Sequence, residues 1–223
     1  MKIGFNGVSG VSSAQPRLKA WQIHEVQFKG VEFSSFAGKK DPNATWQVMR
    51  TKFEGKDGIF EETTFCPKDG DEVRPKNGDR ESPSALERFQ HFVAQLGEQL
   101  PGVKERYDKL SKYEWDFPGD FEKFVKTLAD CLKPAIGKTV KLKLIGNKKG
   151  DAVLPYFVNL NREGKPYTSN NFLGDKVFFT QYELDTMEKQ KGAKPTDMDA
   201  EANDGLNTEV SSGVSNDDLN FEV

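Results

Sequence analysis

The chain has 223 residues, of which 35% are hydrophobic and 30% are charged, with a net charge of -3. Its apolar and aromatic content is enough for a folded core, but no apolar run approaches the roughly 18 residues of a membrane span. Its two cysteines are far apart and it has only two histidines, which excludes the usual spacings of zinc and redox sites. We therefore predict a soluble, cytoplasmic protein with no cofactor and no membrane partner.

Charge is distributed unevenly along the chain. Residues 195–223 contain eight of the 35 acidic residues and no lysine or arginine, which leaves 27 acidic residues against 32 basic ones elsewhere. A basic folded part followed by an acidic segment is typical of proteins that bind a polyanion. We predict a flexible lead at 1–16, a single folded domain at 17–194 and a disordered acidic tail at 195–223.

The first part of the predicted domain has the alternating apolar pattern of strands. Its first strand changes phase twice, between Ile23 and Val26 and again near Gly30, which indicates bulges in one long strand. A polar loop that contains glycine joins the next two strands and predicts a hairpin. These three strands are predicted at 18–36, 45–53 and 58–66.

Residues 82–134 change to helical spacing and form a predicted helical insertion. The first helix is predicted to begin with Ser82 as N-cap and Pro83 in its first turn. Gly97 and Pro101 are predicted to end it. Two further helices are predicted at 102–113 and 118–132.

Strands return after the helical insertion. The sequence Thr180 to Glu183 has the spacing of a capping box and predicts a final helix that extends to about residue 190. Three strands, a helical insertion and two strands are the order of an OB-fold, a common platform for single-stranded nucleic acid. We predict a mainly β fold with a helical insertion (α+β), an OB-like five-stranded barrel with helices between strands three and four. The later strands are predicted at 138–145, 153–160 and, as a short one, 176–179.

The segment 133–149 is the most basic part of the chain, with six lysines and no acid. In its strand, Lys141 and Lys143 alternate with apolar residues and are predicted to share one exposed face. Such lysines fit a phosphate backbone, and a solvated strand face is an equal alternative. The candidates for nucleic-acid binding are Lys138, Lys141, Lys143, Lys148 and Lys149.

Aromatic residues supply a second set of candidates. Trp46, Arg50 and Lys52 share one face of the second strand, which fits a ring for base stacking beside charges for phosphates. The alternative is that Trp46 belongs to the core. Either Tyr156 or Phe157 must point outward from the last strand. Further candidates for stacking are therefore Tyr156, Phe157 and Tyr167.

Catalytic motifs are missing from the sequence. It contains no phosphate-binding loop, no HExxH and no GxSxG. His24 and His91 are isolated, and we expect both to be structural or exposed. We therefore predict that the protein is not an enzyme.

The end of the chain combines acids with apolar side chains. Asp217, Asp218, Leu219 and Phe221 resemble the C-terminal tip of the single-stranded-DNA-binding proteins of bacteria and of phage replication systems. The resemblance implies that the tip recruits replication, recombination and repair proteins. It also implies that the tail competes with DNA for a basic groove. The tip departs from the family because two residues follow Phe221.

These observations together predict sequence-tolerant binding of single-stranded DNA in replication or recombination. For a phage-encoded protein the compartment would be the host cytoplasm. One alternative is a structural or protein-interaction protein, such as a virion component, and another is a nuclease. The sequence leaves open the choice between DNA and RNA, the oligomeric state and the identity of the partners.

Overall fold

A computed structural model of the chain describes residues 16–38, 44–77, 80–81, 83–155 and 171–192. A short 3-10 turn (Lys133–Ala135) links the helical part to the strand that follows it. The strands are β1 (Gln22–Ala37), β2 (Thr45–Gly55), β3 (Gly58–Phe65), β4 (Lys76–Asn77), β5 (Arg80–Glu81), β6 (Thr139–Gly146) and β7 (Ala152–Val153). The helices are α1 (Ala85–Gln99), α2 (Lys104–Leu110), α3 (Phe121–Leu132) and α4 (Gln181–Gly192).

The main sheet has five antiparallel strands in the order β3-β2-β1-β6-β7, and β4 and β5 form a separate ribbon. The long strand β1 is shared between the two sides of the sheet. Residues 22–27 pair with β6, and residues 26–37 pair with β2. This sharing lets the sheet curl into a half-barrel. The predicted mixture of helices with a five-stranded antiparallel sheet is confirmed.

A bulge divides β1 into two phases. The register with β2 shifts between Phe28 and Gly30, and Lys29 has no partner residue on β2. Gly30 has a φ of 130°, a conformation that glycine adopts without strain. Because of the extra residue, Phe28 and Val31 both face the core although they are three positions apart. The bulge predicted near Gly30 is confirmed.

The other phase change predicted in this strand is wrong. Ile23 points to solvent with 38% of its surface exposed, and His24 takes the inward position. A ring nitrogen of His24 lies 2.8 Å from the carbonyl oxygen of Lys19, so the histidine is structural. The alternation from His24 to Phe28 is therefore regular, with a polar residue at a core position.

Aromatic rings join the helices to the inner face of the sheet. Phe121, at the start of α3, is fully buried. Its ring centroid lies 6.3 Å from that of Phe33 on β1 and 6.1 Å from that of Phe89 on α1. Phe117 and Phe124 complete this cluster around Phe89. The cluster fixes α1 and α3 against the same end of the half-barrel.

Helix α1 begins two residues later than predicted. Ser84 is its N-cap, and Pro83 precedes the helix, while Ser82 lies outside the described residues. The Ser84 hydroxyl accepts a hydrogen bond from the Glu87 amide, and the Glu87 carboxylate accepts one from the Ser84 amide. A capping box needs an acid or amide three residues after the cap, and Ala85 occupies that position after Ser82.

The same glutamate makes helix α1 sensitive to acid. The hydrogen bond from Arg74, followed by the bond from the Ser84 backbone, lowers the pKa of Glu87 to about 2, from an ordinary value of 4.5. Its ionised form therefore stabilises the fold above about pH 4.5, and this stabilisation is lost as the pH falls towards 2. We expect Glu87→Gln to have a lower free energy of unfolding than the wild type at neutral pH. This difference in free energy should shrink as the pH is lowered.

Urea unfolding at several pH values checks this prediction, because only the difference between the two proteins reports on Glu87. Glu105→Gln, at an exposed position in the first turn of α2, is the matched control. If the free energies of unfolding of the wild type and Glu87→Gln differ by the same amount at neutral and acid pH, the prediction is contradicted.

Helix α1 also passes through the glycine that was predicted to end it. The helix continues to Gln99, two residues beyond Gly97. A Cβ atom on Gly97 would lie 2.0 Å from Cγ of Tyr107, so the ring of α2 packs directly on the backbone of α1. This glycine is needed for the close approach of two helices rather than for termination.

The C-terminal part of the domain differs from the prediction at two places. Strand β7 covers residues 152–153, and residues 156–160 of the predicted strand lie outside the described residues. The segment 176–179 forms no strand. The chain instead meets β6 at a single bridge between Leu173 and Leu142, after which Gly174, with a φ of 99°, turns it away. Helix α4 then begins at the predicted capping box, which is confirmed.

Candidate functional site

Three aromatic side chains lie next to each other on the outer face of the sheet, the face that points away from α1, α2 and α3. Phe36 of β1 pairs with Trp46 of β2, and Phe65 of β3 pairs with Val48, two residues further along β2. Because partners and residues two apart share a face, the three rings lie on one side of three adjacent strands. We call Phe36, Trp46 and Phe65 the aromatic platform.

The aromatic platform is accessible to solvent. Between 37% and 42% of the surface of each residue is exposed. The ring centroids of Trp46 and Phe65 are 5.7 Å apart, those of Phe36 and Phe65 are 6.4 Å apart, and both pairs meet edge to face. The alternative that Trp46 belongs to the core is wrong. Adjacent exposed rings of this kind are typical of a surface that binds a ligand or another macromolecule.

Positive charge lies beside the aromatic platform. The ammonium group of Lys68 is 5.7 Å from the centroid of the Trp46 ring, within the range of a cation–π interaction. Arg50 and Lys52 continue along the same face of β2, and both are exposed as predicted. Trp46, Arg50 and Lys52 therefore do share one accessible face.

Acidic residues partly balance these cations. The guanidinium of Arg50 lies 4.0 Å from the Glu61 carboxylate, and Glu32 lies opposite Arg50 on β1. Glu61 in turn lies opposite Lys52 on β3. Ion pairs this exposed contribute little stability, so the cations are available to a ligand. The centre of the face is nevertheless close to neutral.

The other exposed lysines lie along β6. Lys141 is on the outer face, opposite Glu25 of β1. Lys138 precedes β6, whereas Lys148 and Lys149 follow it in an exposed turn. Strand β6, which separates Lys138 from Lys148, spans about 25 Å. These four lysines therefore form a dispersed row rather than one cluster.

Lys143 differs most from its predicted place. Its side chain is fully buried, and its ammonium group donates to both carboxylate oxygens of Glu183, at 2.9 and 3.0 Å, and to the carbonyl oxygen of Phe178 at 2.9 Å. The strand alternation puts Lys143 on the same side as Lys141, as expected. The prediction that both are exposed is wrong because α4 covers this part of the outer face.

Helix α4 is held over β6 at two places. At its N-terminal end, Glu183 closes the capping box with Thr180 and binds Lys143. At its C-terminal end, the Gln190 side chain accepts a hydrogen bond from the Trp21 indole at 2.9 Å and donates to the Asn147 carbonyl at 3.2 Å. We call these contacts the Lys143 anchor and the Gln190 anchor.

Several predicted site residues cannot be placed relative to these features, because they lie outside the described residues. They are Tyr156, Phe157, Tyr167, Asp217, Asp218, Leu219 and Phe221.

Two members of the aromatic platform were not predicted from the sequence. Phe36 and Phe65 lie within the strands predicted at 18–36 and 58–66, but neither is among the predicted candidates for stacking. Counting alternation from Gly30 onward puts Phe36 on the outer side, so the bulge was the signal for that residue. For Phe65 the signal was its strand register opposite Val48, which the sequence does not fix.

Other kinds of site find no support in the described part of the chain. There, no group of three or more histidine, cysteine, aspartate or glutamate residues is placed to hold a metal ion. None of the described helices has the length and apolar composition needed to cross a membrane. Burial raises the pKa of the Cys66 thiol to about 11, so it is not an activated nucleophile.

Compared with models of protein families, with curated proteins and with solved structures, the chain matches none of them. The site is therefore defined by its own geometry. It is an open aromatic surface with flanking cations, on the outer face of a curled antiparallel sheet.

Proposed function

We propose that the protein binds single-stranded DNA with little sequence preference, and that this binding role is not enzymatic. The observation that carries the proposal is the aromatic platform with Lys68, Arg50 and Lys52 beside it. Every base has a flat face, so stacking on exposed rings is tolerant of sequence and contributes about 1–3 kcal/mol per base. Phosphates of the same strand would bind the flanking cations and release counterions.

The strand order supports an OB-like barrel. The order β3-β2-β1-β6-β7 is that of a five-stranded OB barrel opened at one seam. The third strand of this barrel is β3 and its fourth is β6, and α1, α2 and α3 lie between them along the chain. In OB-folds, oligonucleotides bind across strands two and three and the loops that join strands one to two and four to five. Phe36 and Trp46 of the aromatic platform lie at the strand ends that the first of these loops connects, and Lys148 and Lys149 lie in the second loop.

The acidic tail, 195–223, would regulate this face. In the absence of DNA it would screen the cations of the face, and bound DNA would displace it. The displaced tip, with Asp217, Asp218, Leu219 and Phe221, would then bind replication or recombination proteins in the cytoplasm of a bacterium or of a phage host.

The test of the proposal is a fluorescence-anisotropy titration of an oligo-dT of about 30 nucleotides and of a matched duplex, each at two salt concentrations. We expect tighter binding to the single strand, with an affinity that falls with salt by a logarithmic slope of about -0.7 per contacted phosphate. Absence of binding to either ligand, with the tail present or removed, would refute the proposal.

Removing the tail is expected to tighten binding to oligo-dT, because the cations no longer have an intramolecular competitor. The effect should shrink at high salt, where both competing interactions are screened. The control is a chain of full length in which the eight acids of 195–223 are replaced by their amides. It should reproduce the gain if charge is responsible, and unchanged affinity in both proteins would refute the screening role.

One observation favours a different function, a structural or protein-interaction role without nucleic acid. Glu32 and Glu61 oppose the cations of β2, so the centre of the outer face is nearly neutral and the aromatic platform resembles an interface for a protein. This alternative predicts a stoichiometric protein complex that is insensitive to nuclease and needs the platform. It also predicts no binding to oligo-dT in the titration above.

A further inference from the structure

The buried contact between Lys143 and Glu183 suggests how far the proposed DNA face extends, and this inference rests on the proposed function. We propose that α4 is a displaceable cover on the outer face of β6, and that a backbone phosphate of a bound single strand replaces the Glu183 carboxylate at Lys143. Helix α4 and the bound single-stranded DNA would then compete for Lys143.

The chemistry of the Lys143 anchor fits such an exchange. The ammonium group donates to both oxygens of the Glu183 carboxylate, and a phosphate presents two oxygens of the same charge in the same way. Lys143 lies two residues from Lys141 on the same side of β6, about 7 Å away along the strand. With α4 displaced, both lysines would face a bound strand, together with Lys148 and Lys149.

Helix α4 is held by polar contacts more than by apolar burial. Among residues 181–191, Glu183 is the one buried residue, and none of the buried hydrophobic residues belongs to α4. The Lys143 anchor and the Gln190 anchor supply hydrogen bonds between α4 and the strand region beneath it. The apolar side chains of α4, Leu184 and Met187, are only half-buried. Displacement therefore exposes a limited apolar surface and replaces hydrogen bonds within the protein by hydrogen bonds to water or phosphate. Segments held in this way open more easily than the core.

The competing interpretation is that α4 is a fixed part of the fold. The two interpretations differ at Gln190, whose side-chain hydrogen bonds go to Trp21 and Asn147 and not to Lys143 or Glu183. Gln190→Ala removes the bonds to Trp21 and Asn147 without changing the charge of the protein. If α4 competes with DNA, this change must raise the affinity for DNA although Gln190 does not itself bind Lys143. The reason is that α4 is already displaced in a larger fraction of the protein before DNA binds.

The experiment is an oligo-dT titration of the full chain and of its Gln190→Ala variant, with hydrogen exchange of residues 181–192 measured with and without oligo-dT. We expect Gln190→Ala to bind oligo-dT about fivefold to thirtyfold more tightly, because each of the two lost hydrogen bonds makes a factor of about five in an opening equilibrium. Oligo-dT should accelerate exchange in α4 of the wild-type protein. The matched control is Gln181→Ala in the same helix, and it should bind like the wild type. Within the described part of the chain, the Gln181 side chain donates its hydrogen bond to Asp185 of α4 itself.

A further variant assigns the gain to the buried lysine. Adding Lys143→Gln to Gln190→Ala should abolish this gain in affinity for oligo-dT, since no cation remains under the displaced helix. Equal affinities of the wild type and Gln190→Ala, or slower exchange of α4 in the presence of oligo-dT, would overturn the cover while leaving DNA binding itself intact. Absence of oligo-dT binding by the wild type and every variant would instead refute the proposed function, and the cover with it.

Discussion

Replacing Trp46 with alanine is expected to weaken binding to single-stranded DNA by about fivefold to 150-fold, the range set by the loss of one stacked base. Trp46 lies on the middle one of the three strands, where its backbone pairs with that of Phe36 and its ring meets that of Phe65. It also lies under the ammonium group of Lys68. Its removal therefore takes away a stacking surface and separates a cation from the site.

The measurement is the anisotropy titration with oligo-dT, at one salt concentration for all variants. Trp46→Phe should keep most of the affinity, because it retains a flat ring at the same position. The matched control is Tyr113→Ala, which removes an aromatic side chain that is 68% exposed, after α2 and away from the outer face. If Trp46→Ala and Tyr113→Ala bind equally well, the platform is not a stacking surface.

Phe121→Ala is expected to have the largest effect on stability, a loss of about 3–5 kcal/mol in the free energy of unfolding. Phe121 is fully buried at the junction of α3 with the sheet, and its ring contacts those of Phe33, Phe89 and Phe117. Truncation removes apolar burial and leaves a cavity between elements that cannot easily close around it. A single domain has only about 5–15 kcal/mol of stability in total, so the variant should be close to unfolding.

Urea unfolding followed by circular dichroism tests this prediction. Phe121→Leu should lose less of the free energy of unfolding, because leucine keeps most of the buried side-chain volume. Tyr113→Ala again serves as the control, since its side chain is largely exposed and should change stability by less than about 0.5 kcal/mol. A loss below about 1 kcal/mol for Phe121→Ala would mean that the aromatic cluster does not fix the helices on the sheet.

The elements that could be predicted from the sequence are those with local signals. The first three strands, the three helices of 82–134 and the capping box at Thr180 each have a periodicity or a cap that acts within a few residues. Errors arose where one local signal had two meanings. Gly97 was read as a helix end, although it makes room for the ring of Tyr107, which lies on another helix.

The candidate site was predictable only in part, for a related reason. Alternation along β2 correctly grouped Trp46, Arg50 and Lys52, because side chains of a strand point alternately to two faces. Phe36 and Phe65 join Trp46 only through the pairing of three strands, and that register depends on where the turns and the bulge fall.

Lys143 shows most clearly which features of the protein follow from local sequence and which depend on tertiary packing. The alternation of β6 determined the side of the sheet on which this lysine lies. Whether that side meets solvent was decided by α4, whose Glu183 is 40 residues away along the chain. Local patterns set the direction of a side chain, because backbone geometry repeats from one residue to the next. Its burial depends on what distant segments place over it, which no local pattern contains.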